Sequence, residues 1–210
     1  MTAPMVVAEK LLQINAVKLS PTEPFTWASG IKSPIYCDNR KILSFPAIRD
    51  FIKSEFCNKV FEDFKEAELI AGVATAGIPW GMLIADQLKL PFVYVRPKPK
   101  DHGMGKQIEG DYKEGQRTVV IEDLVSTGKS SLEAIDALVK NGLKIEGMVS
   151  IFTYGFEQAK NAFDTHKVAF TSLTDYSTLL ELALQKNYIS QDQLTLLNQW
   201  RLDPSNWSAK

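Results

Sequence analysis

Residues 117–131, Arg-Thr-Val-Val-Ile-Glu-Asp-Leu-Val-Ser-Thr-Gly-Lys-Ser-Ser, decide the fold. Val119, Val120 and Ile121 are consecutive and β-branched, which suits a strand covered on both faces in a parallel sheet better than an alternating, half-exposed strand. Ser126 to Ser130 supply a small, hydroxyl-rich turn with Gly128 inside it. Beyond the turn, Leu132, Ile135, Leu138 and Val139 recur at helical spacing, Ser130 with Glu133 reads as a capping box, and Asn141-Gly142 reads as a stop. Strand, turn and helix in this order are the repeating unit of an α/β sheet.

The same stretch carries chemistry. The first N–H groups of a helix have no intrahelical acceptor and sit at the positive end of its dipole. With the hydroxyls of Ser126, Thr127, Ser130 and Ser131 they make a seat for a terminal phosphate. Glu122 and Asp123 lie one turn away, where the ribose of a sugar phosphate would be. Two carboxylates there can accept hydrogen bonds from vicinal hydroxyls and favour a cationic sugar carbon, whereas a phosphate alone would be repelled by them. Neighbouring strand residues point to opposite faces, so both acids reach one sugar only if the strand is already turning at Glu122. The residues alone leave a second reading open, in which the acids end a strand and the turn only caps a helix. A nucleotide P-loop fits less well, because G-x-x-x-x-G-K-[ST] needs glycine at the position of Asp123.

A chain of 210 residues suits one α/β domain with a small accessory part. Its 24 Lys and Arg against 25 Asp and Glu give a net charge of -1, so there is no general attraction to nucleic acid or an anionic membrane, and anion binding must be local. Cys37 and Cys57 cannot make a disulfide framework, and no apolar run approaches the ~20 residues of a membrane span. The first ten residues lack a secretory signal's basic and apolar regions, and a cytoplasmic protein is expected.

Along the chain, residues 5–18 place Val6, Val7, Leu11, Ile14 and Val17 on one helical face, and residues 20–40 read as irregular extended structure. A helix over 44–64, a strand over 68–73, a helix to Leu88 and a strand over 92–96 follow. After the central unit come a strand over 144–152, a helix over 157–163, a strand over 168–171 and helices over 175–185 and 191–200. Alternation of strands and helices predicts a parallel sheet with helices on both faces and ligands at the carboxyl ends of its strands. Residues 1–40 are expected to cap that sheet within a single domain spanning 1–210. The small turn 71–79 suits close approach of a ligand to the backbone and equally suits tight strand–helix packing. Residues 97–116 form a long glycine-containing loop with Lys98, Lys100, His102, Lys106 and Lys113, either a solvated face or a functional lid.

The hydrophobic strand, two acids and Thr-Gly turn of 117–131 resemble the donor-binding signature of type I phosphoribosyltransferases. Residues 25–40, Phe-Thr-Trp-Ala-Ser-Gly-Ile-Lys-Ser-Pro-Ile-Tyr-Cys-Asp-Asn-Arg, and 96–103, Arg-Pro-Lys-Pro-Lys-Asp-His-Gly, resemble the amino-terminal segment and mobile loop of that family's orotate-using branch. The resemblance runs from about Glu9 to Tyr188. It implies a type I phosphoribosyltransferase-like parallel sheet with an amino-terminal hood, and transfer of ribose 5-phosphate from phosphoribosyl pyrophosphate to N1 of orotate, giving orotidine 5′-monophosphate and pyrophosphate for pyrimidine synthesis. It further implies Mg2+ held mainly by substrate oxygens, and a homodimer in which loop residues act in the neighbouring subunit's site.

Residue by residue, the resemblance assigns the donor to Arg96, Lys98, Lys100, His102, Glu122, Asp123, Leu124, Val125, Ser126, Thr127, Gly128, Lys129 and Ser130, and orotate to Ser126, Tyr36 and Lys32. Lys100, His102 and Asp123 are the expected catalytic groups: a lid with a cation and an imidazole can stabilise departing pyrophosphate and exclude water. His166 has no partner motif and reads as structural. The chain departs from the family pattern at Ala28, Ala76 and Pro97, where basic residues are usual, and at Tyr154, where an arginine elsewhere meets the orotate carboxylate. A phosphoribosyltransferase for a purine base or uracil shares the donor site, and a phosphoribosyl pyrophosphate-sensing regulator would need a basic surface or DNA-binding helices not seen here.

Overall fold

The computed structural model describes residues 1–27, 30–98 and 107–207. The chain begins with α1 (Ala3–Gln13), β1 (Val17–Leu19), β2 (Phe25–Thr26), β3 (Lys32–Ser33), β4 (Ile35–Cys37) and a 3-10 turn, Asn39–Ser44. The α/β part runs α2 (Pro46–Asp63), β5 (Leu69–Val73), α3 (Gly77–Leu88), β6 (Phe92–Val95), β7 (Ile108–Glu109), β8 (Arg117–Val125), α4 (Lys129–Lys140), β9 (Lys144–Thr153), α5 (Glu157–His166) and β10 (Phe170–Asp175), and α6 (Tyr176–Gln185) and α7 (Gln191–Leu202) follow. The six-stranded sheet has the order β10-β9-β8-β5-β6-β7. All its pairings are parallel except β6 with β7.

Alternation along the strands feeds two cores. Val119 and Ile121 of β8 join Ile70, Val149 and Ile151 in the core that α1, α2, α3, α6 and α7 cover. Val120 joins Leu69, Ala71 and Met148 in the core that α4 and α5 cover. Each such fully buried Val or Ile contributes roughly 1.5–3 kcal/mol of transfer free energy, so burial on both faces fixes β8 in the middle of the sheet. Glycine lets α3 come down onto this sheet: a Cβ on Gly72 would lie 2.7 Å from the Gly77 carbonyl oxygen, and one on Gly77 would collide with the Ile121 carbonyl oxygen.

Several sequence expectations change. The first helix stops at Gln13 because Asn15 takes a left-handed φ of 55° and the Ala16 amide turns back to the Leu11 carbonyl; Val17 is buried from a strand, not from a helix. Residues 20–40 are not wholly irregular, since β1 pairs with β4 and β2 with β3 in two antiparallel ribbons. The Ser130–Glu133 capping box does not form: Gly128, at φ 80°, starts the helix at Lys129 with no side-chain cap, which leaves Ser130 inside the first turn. The last strand is longer and later than 168–171. Ile108 and Glu109, within the expected loop, form the antiparallel edge beside β6, tied by the Gln107 side-chain amide to the Arg96 carbonyl at 2.9 Å.

Candidate functional site

The carboxyl end of β8 breaks strict alternation. Ile121 and Leu124, three residues apart, pack against one core, while Val120 and Val125 pack against the other. The parity change falls at Glu122 and Asp123, the condition under which neighbouring strand acids can share a face. Their carboxyl groups are hydrogen-bonded to each other. The Glu122 carboxyl also accepts the Asp123 main-chain N–H at 2.9 Å.

Glu122 is buried, at 7% exposure. Burial, and then the adjacent Asp123 charge, holds its carboxyl well above the ordinary glutamate range. Burial raises Asp123 too, but the hydrogen bond from Glu122 and the positive charge of Arg40 pull it back. Two acids this close in a low-dielectric site resist ionising together, and of the two Glu122 is the one held more strongly toward its neutral form.

Asp123 opens into a cleft of about 410 Å³ with Asp38, Arg40, Thr75 and Ala76. The turn 74–77 that forms its far wall contains a cis peptide between Ala74 and Thr75. Beside it lies a second cleft, about 460 Å³, lined by Thr26, Trp27, Tyr36, Leu124, Ser126 and Tyr154. Cys37 belongs to both walls. One cleft is therefore polar and charged, the other predominantly aromatic. Tyr36 is 41% exposed and its ring rests 5.7 Å from that of Phe25. Tyr154 is held among Trp27, Phe152, Phe156, Tyr176 and Trp200, and its burial raises the phenol well above its ordinary value.

Ser126, Thr127, Gly128, Lys129 and Ser130 join the carboxyl end of β8 to the uncapped amide end of α4. The hydroxyl-bearing Ser126 lines the aromatic cleft directly. Val125, by contrast, is buried and its carbonyl accepts the Thr153 hydroxyl, so only its backbone faces the turn. Lys32 does not line the aromatic cleft; its ammonium donates to the Thr26 hydroxyl at 2.7 Å, one residue behind the wall. Arg96 stands apart, paired with Glu109 at 3.4 Å, in a small 70 Å³ cleft with Ser130 and Glu133. Lys98 is exposed beyond it. Lys100 and His102 lie outside the described residues. His166 hydrogen-bonds through Nδ1 with the Ala162 carbonyl, within α5.

Two groups that sequence reasoning did not select stand at the acid pair. Asn39, 1% exposed, donates Nδ2 to the Asp123 carbonyl at 2.7 Å. Arg40 donates to Asp38 at 2.6 Å on the wall that Asp123 shares. They lay within the quoted segment 25–40, but nothing in their spacing connects them to a strand more than 80 residues away. Among the described residues no three His, Cys, Asp or Glu side chains gather as a metal site. The carboxylates of Asp123 and Asp38 in one cleft are oxygen donors of the kind Mg2+ takes when most of its ligands are waters and substrate oxygens.

A doubly covered parallel sheet with an acid pair and an uncapped helix amide end at its central carboxyl edge defines a class. The chain belongs to the phosphoribosyl transferase family, whose domain matches residues 41–172. Within that class its relatives are specific: it is 52% identical over 202 residues to the orotate phosphoribosyltransferase of Bacteroides thetaiotaomicron, covering 96% of this chain and 95% of that protein. Among solved structures, the orotate phosphoribosyltransferase of Aeropyrum pernix superposes with a TM-score of 0.76 at 29% identity, covering 88% of this chain and 99% of that one. The UMP synthase of Leishmania donovani superposes at 0.79 with 30% identity, covering 95% of this chain and 42% of that longer one.

Proposed function

We infer that the chain transfers ribose 5-phosphate from phosphoribosyl pyrophosphate to N1 of orotate, releasing pyrophosphate and forming orotidine 5′-monophosphate, a step of pyrimidine nucleotide synthesis. The observation that carries this reading is the adjacency of the two clefts: Asp123 of the acid pair on one side, an aromatic slot with Ser126 on the other, and Cys37 and Leu124 in both walls. In this reading the amides and hydroxyls from Ser126 to Ser130 hold the 5-phosphate, with Leu124 and Val125 contributing backbone. Asp123 accepts the ribose diol and faces the anomeric carbon as it becomes cationic; Glu122, held toward its neutral form by burial, hydrogen-bonds to it. Because that hydrogen bond is in place before the donor arrives, little reorganisation is needed as positive charge develops.

Orotate is taken between Tyr36 and Tyr154, where aromatic surface covers a flat ring and Ser126 offers a hydroxyl to its edge. Lys32, two bonds of contact away through Thr26, supplies positive charge toward the acceptor's carboxylate. Arg96, Lys98, Lys100 and His102 act on the pyrophosphate: Lys100 neutralises it as it leaves and His102 donates a proton. Bound Mg2+, held mainly by substrate oxygens, would reduce the negative charge on the donor. Lys129 contributes its amide in this assignment.

The segment 1–40 acts as the hood of a single domain, an arrangement favoured by the Asn39 bond to β8 and by Trp27 donating to the Ile35 carbonyl at 3.3 Å. We place the enzyme in the cytoplasm as a homodimer whose loop 97–107 reaches the neighbouring subunit's site; no helix among the described residues is long and apolar enough to cross a membrane. Pyrophosphate release measured with orotate, uracil, adenine or hypoxanthine, with and without Mg2+, tests the reading. Turnover only with orotate and Mg2+ is expected, and turnover with uracil or a purine at equal rate would refute it.

A further inference from the structure

The aromatic cleft offers surface for a flat ring and a hydroxyl for its edge, but none of its described lining residues carries a positive charge. Lys32 reaches it only through the Thr26 hydroxyl. A ring carboxylate taken out of water needs a charge-bearing donor to replace its hydration. A cavity of about 490 Å³ adjoins this cleft, sharing Trp27 and Ser126 with it, and its lining includes Arg201 from the last turn of α7. Glu157, in the first turn of α5, lines the same cavity, so its described lining residues carry one charge of each sign. That balance suits a ligand with one anionic group and disfavours a polyanion such as pyrophosphate.

The aromatic cluster places Arg201. The preceding residue, Trp200, is fully buried, with its ring 5.7 Å from that of Trp27 and 5.7 Å from that of Tyr154, both of them walls of the aromatic cleft. The Arg201 guanidinium lies 5.8 Å from the centre of the Tyr176 ring, and its Nη1 donates to the Ser177 hydroxyl at 2.6 Å. That bond uses one of five N–H donors. No acid among the described residues forms an ion pair with Arg201, and the carboxylate of Asp203, two residues on, accepts the Asn206 side-chain amide instead. A guanidinium tethered at one nitrogen, with donors left over, can meet a carboxylate through two parallel bonds. Arg201 also lies beyond residues 41–172, which match the family's domain.

We propose that Arg201 is a specificity-determining residue that takes the carboxylate of orotate, so that α7 completes the acceptor site begun by the hood and the carboxyl end of β8. The inference rests on the orotate reading above. Calorimetric titration of the full chain with orotidine 5′-monophosphate and with uridine 5′-monophosphate, which differ only by that carboxylate, tests it. Wild type is expected to bind the first more tightly. Arg201→Gln is expected to weaken orotidine 5′-monophosphate about 10- to 100-fold, the scale of a lost charged hydrogen bond, and to leave uridine 5′-monophosphate within about twofold. Arg201→Lys keeps the charge without the fork and is expected to recover part of the loss, while Lys32→Gln is expected to reduce the preference less than Arg201→Gln does. Equal weakening of both nucleotides in Arg201→Gln would make the residue structural and overturn the proposal. So would a preference that survives Arg201→Gln, or a larger loss in Lys32→Gln. These results leave the orotate reading standing, whereas a wild-type chain with no preference between the nucleotides overturns that reading and the proposal together.

Discussion

Replacing Glu122 by Gln and Asp123 by Asn should have very different effects, although the two acids are adjacent. Burial holds the Glu122 carboxyl toward its neutral form, of which Gln is close to an isostere: its Oε1 can accept the Asp123 N–H now made at 2.9 Å, and its amide N–H can donate to the Asp123 carboxylate as a protonated acid does. Activity should stay within about threefold, because no bond is left unmade. Asp123→Asn instead removes the carboxylate of the pair that lines the cleft. A hydrogen bond to a charged acceptor is worth roughly 1.5–3 kcal/mol, and at about 1.4 kcal/mol per decade that is a loss of about 10- to 150-fold. The lost stabilisation of a cationic sugar carbon pushes the expected value to the upper end, about 10²-fold. Steady-state kcat/KM for phosphoribosyl pyrophosphate at saturating orotate measures both. Equal losses in the two variants would refute this division of roles between the acids, and unchanged kinetics in Asp123→Asn would make Asp123 a mere strand terminus.

Other consequences can be checked independently. Because folding raises the Glu122 carboxyl, the stability contributed by its neutral form is complete below the ordinary range near 4.5 and is lost as pH rises through the raised value. Wild type should therefore lose melting temperature relative to Glu122→Gln as pH rises, and a pH-independent difference would contradict the raised value. Gly72→Ala sets a methyl 2.7 Å from the Gly77 carbonyl and should cost about 1–3 kcal/mol in urea unfolding, by forcing α3 away from β5. Lys100→Ala should lower turnover by about 10²-fold with donor affinity little changed, as measured by turnover and titration together. Tyr36→Ala should raise KM for orotate about tenfold with kcat nearly constant; a fall in kcat alone would move Tyr36 from binding to chemistry.

What the sequence revealed follows the range of the interactions. The run Val119–Ile121 announced a strand buried on both faces, and it is the centre of the sheet, because consecutive β-branched residues leave few alternatives. The acids and the hydroxyl turn were legible as a strand end meeting a helix start. Local signals failed where one residue's backbone decided the outcome: Gly128 at φ 80° began the helix before Ser130 could cap it, and Asn15 at φ 55° ended the first helix before Val17. Neither conformation has a periodicity to betray it. The hydrogen-bonding of Glu122 and Asp123 depended on a change of strand parity, visible only once Leu124 and Val125 are seen in their respective cores. Asn39 and Arg40 stayed hidden for a further reason, since the Asn39 bond to Asp123 and the cleft that Arg40 shares with it arise only from the tertiary fold. Tyr154, expected to stand where a cation would be, instead anchors an aromatic cluster with Trp27 and Trp200, which turns that wall of the acceptor cleft from charged to apolar.

The most direct measurement is a crystal structure of the chain with phosphoribosyl pyrophosphate and Mg2+ bound. Density for the ribose within hydrogen-bonding reach of Asp123, with the 5-phosphate on the amides from Ser126 to Ser130 and the anomeric carbon turned toward Tyr36 and Tyr154, is the result predicted. A donor seated away from the end of β8, or one whose diol contacts neither acid, would contradict the account.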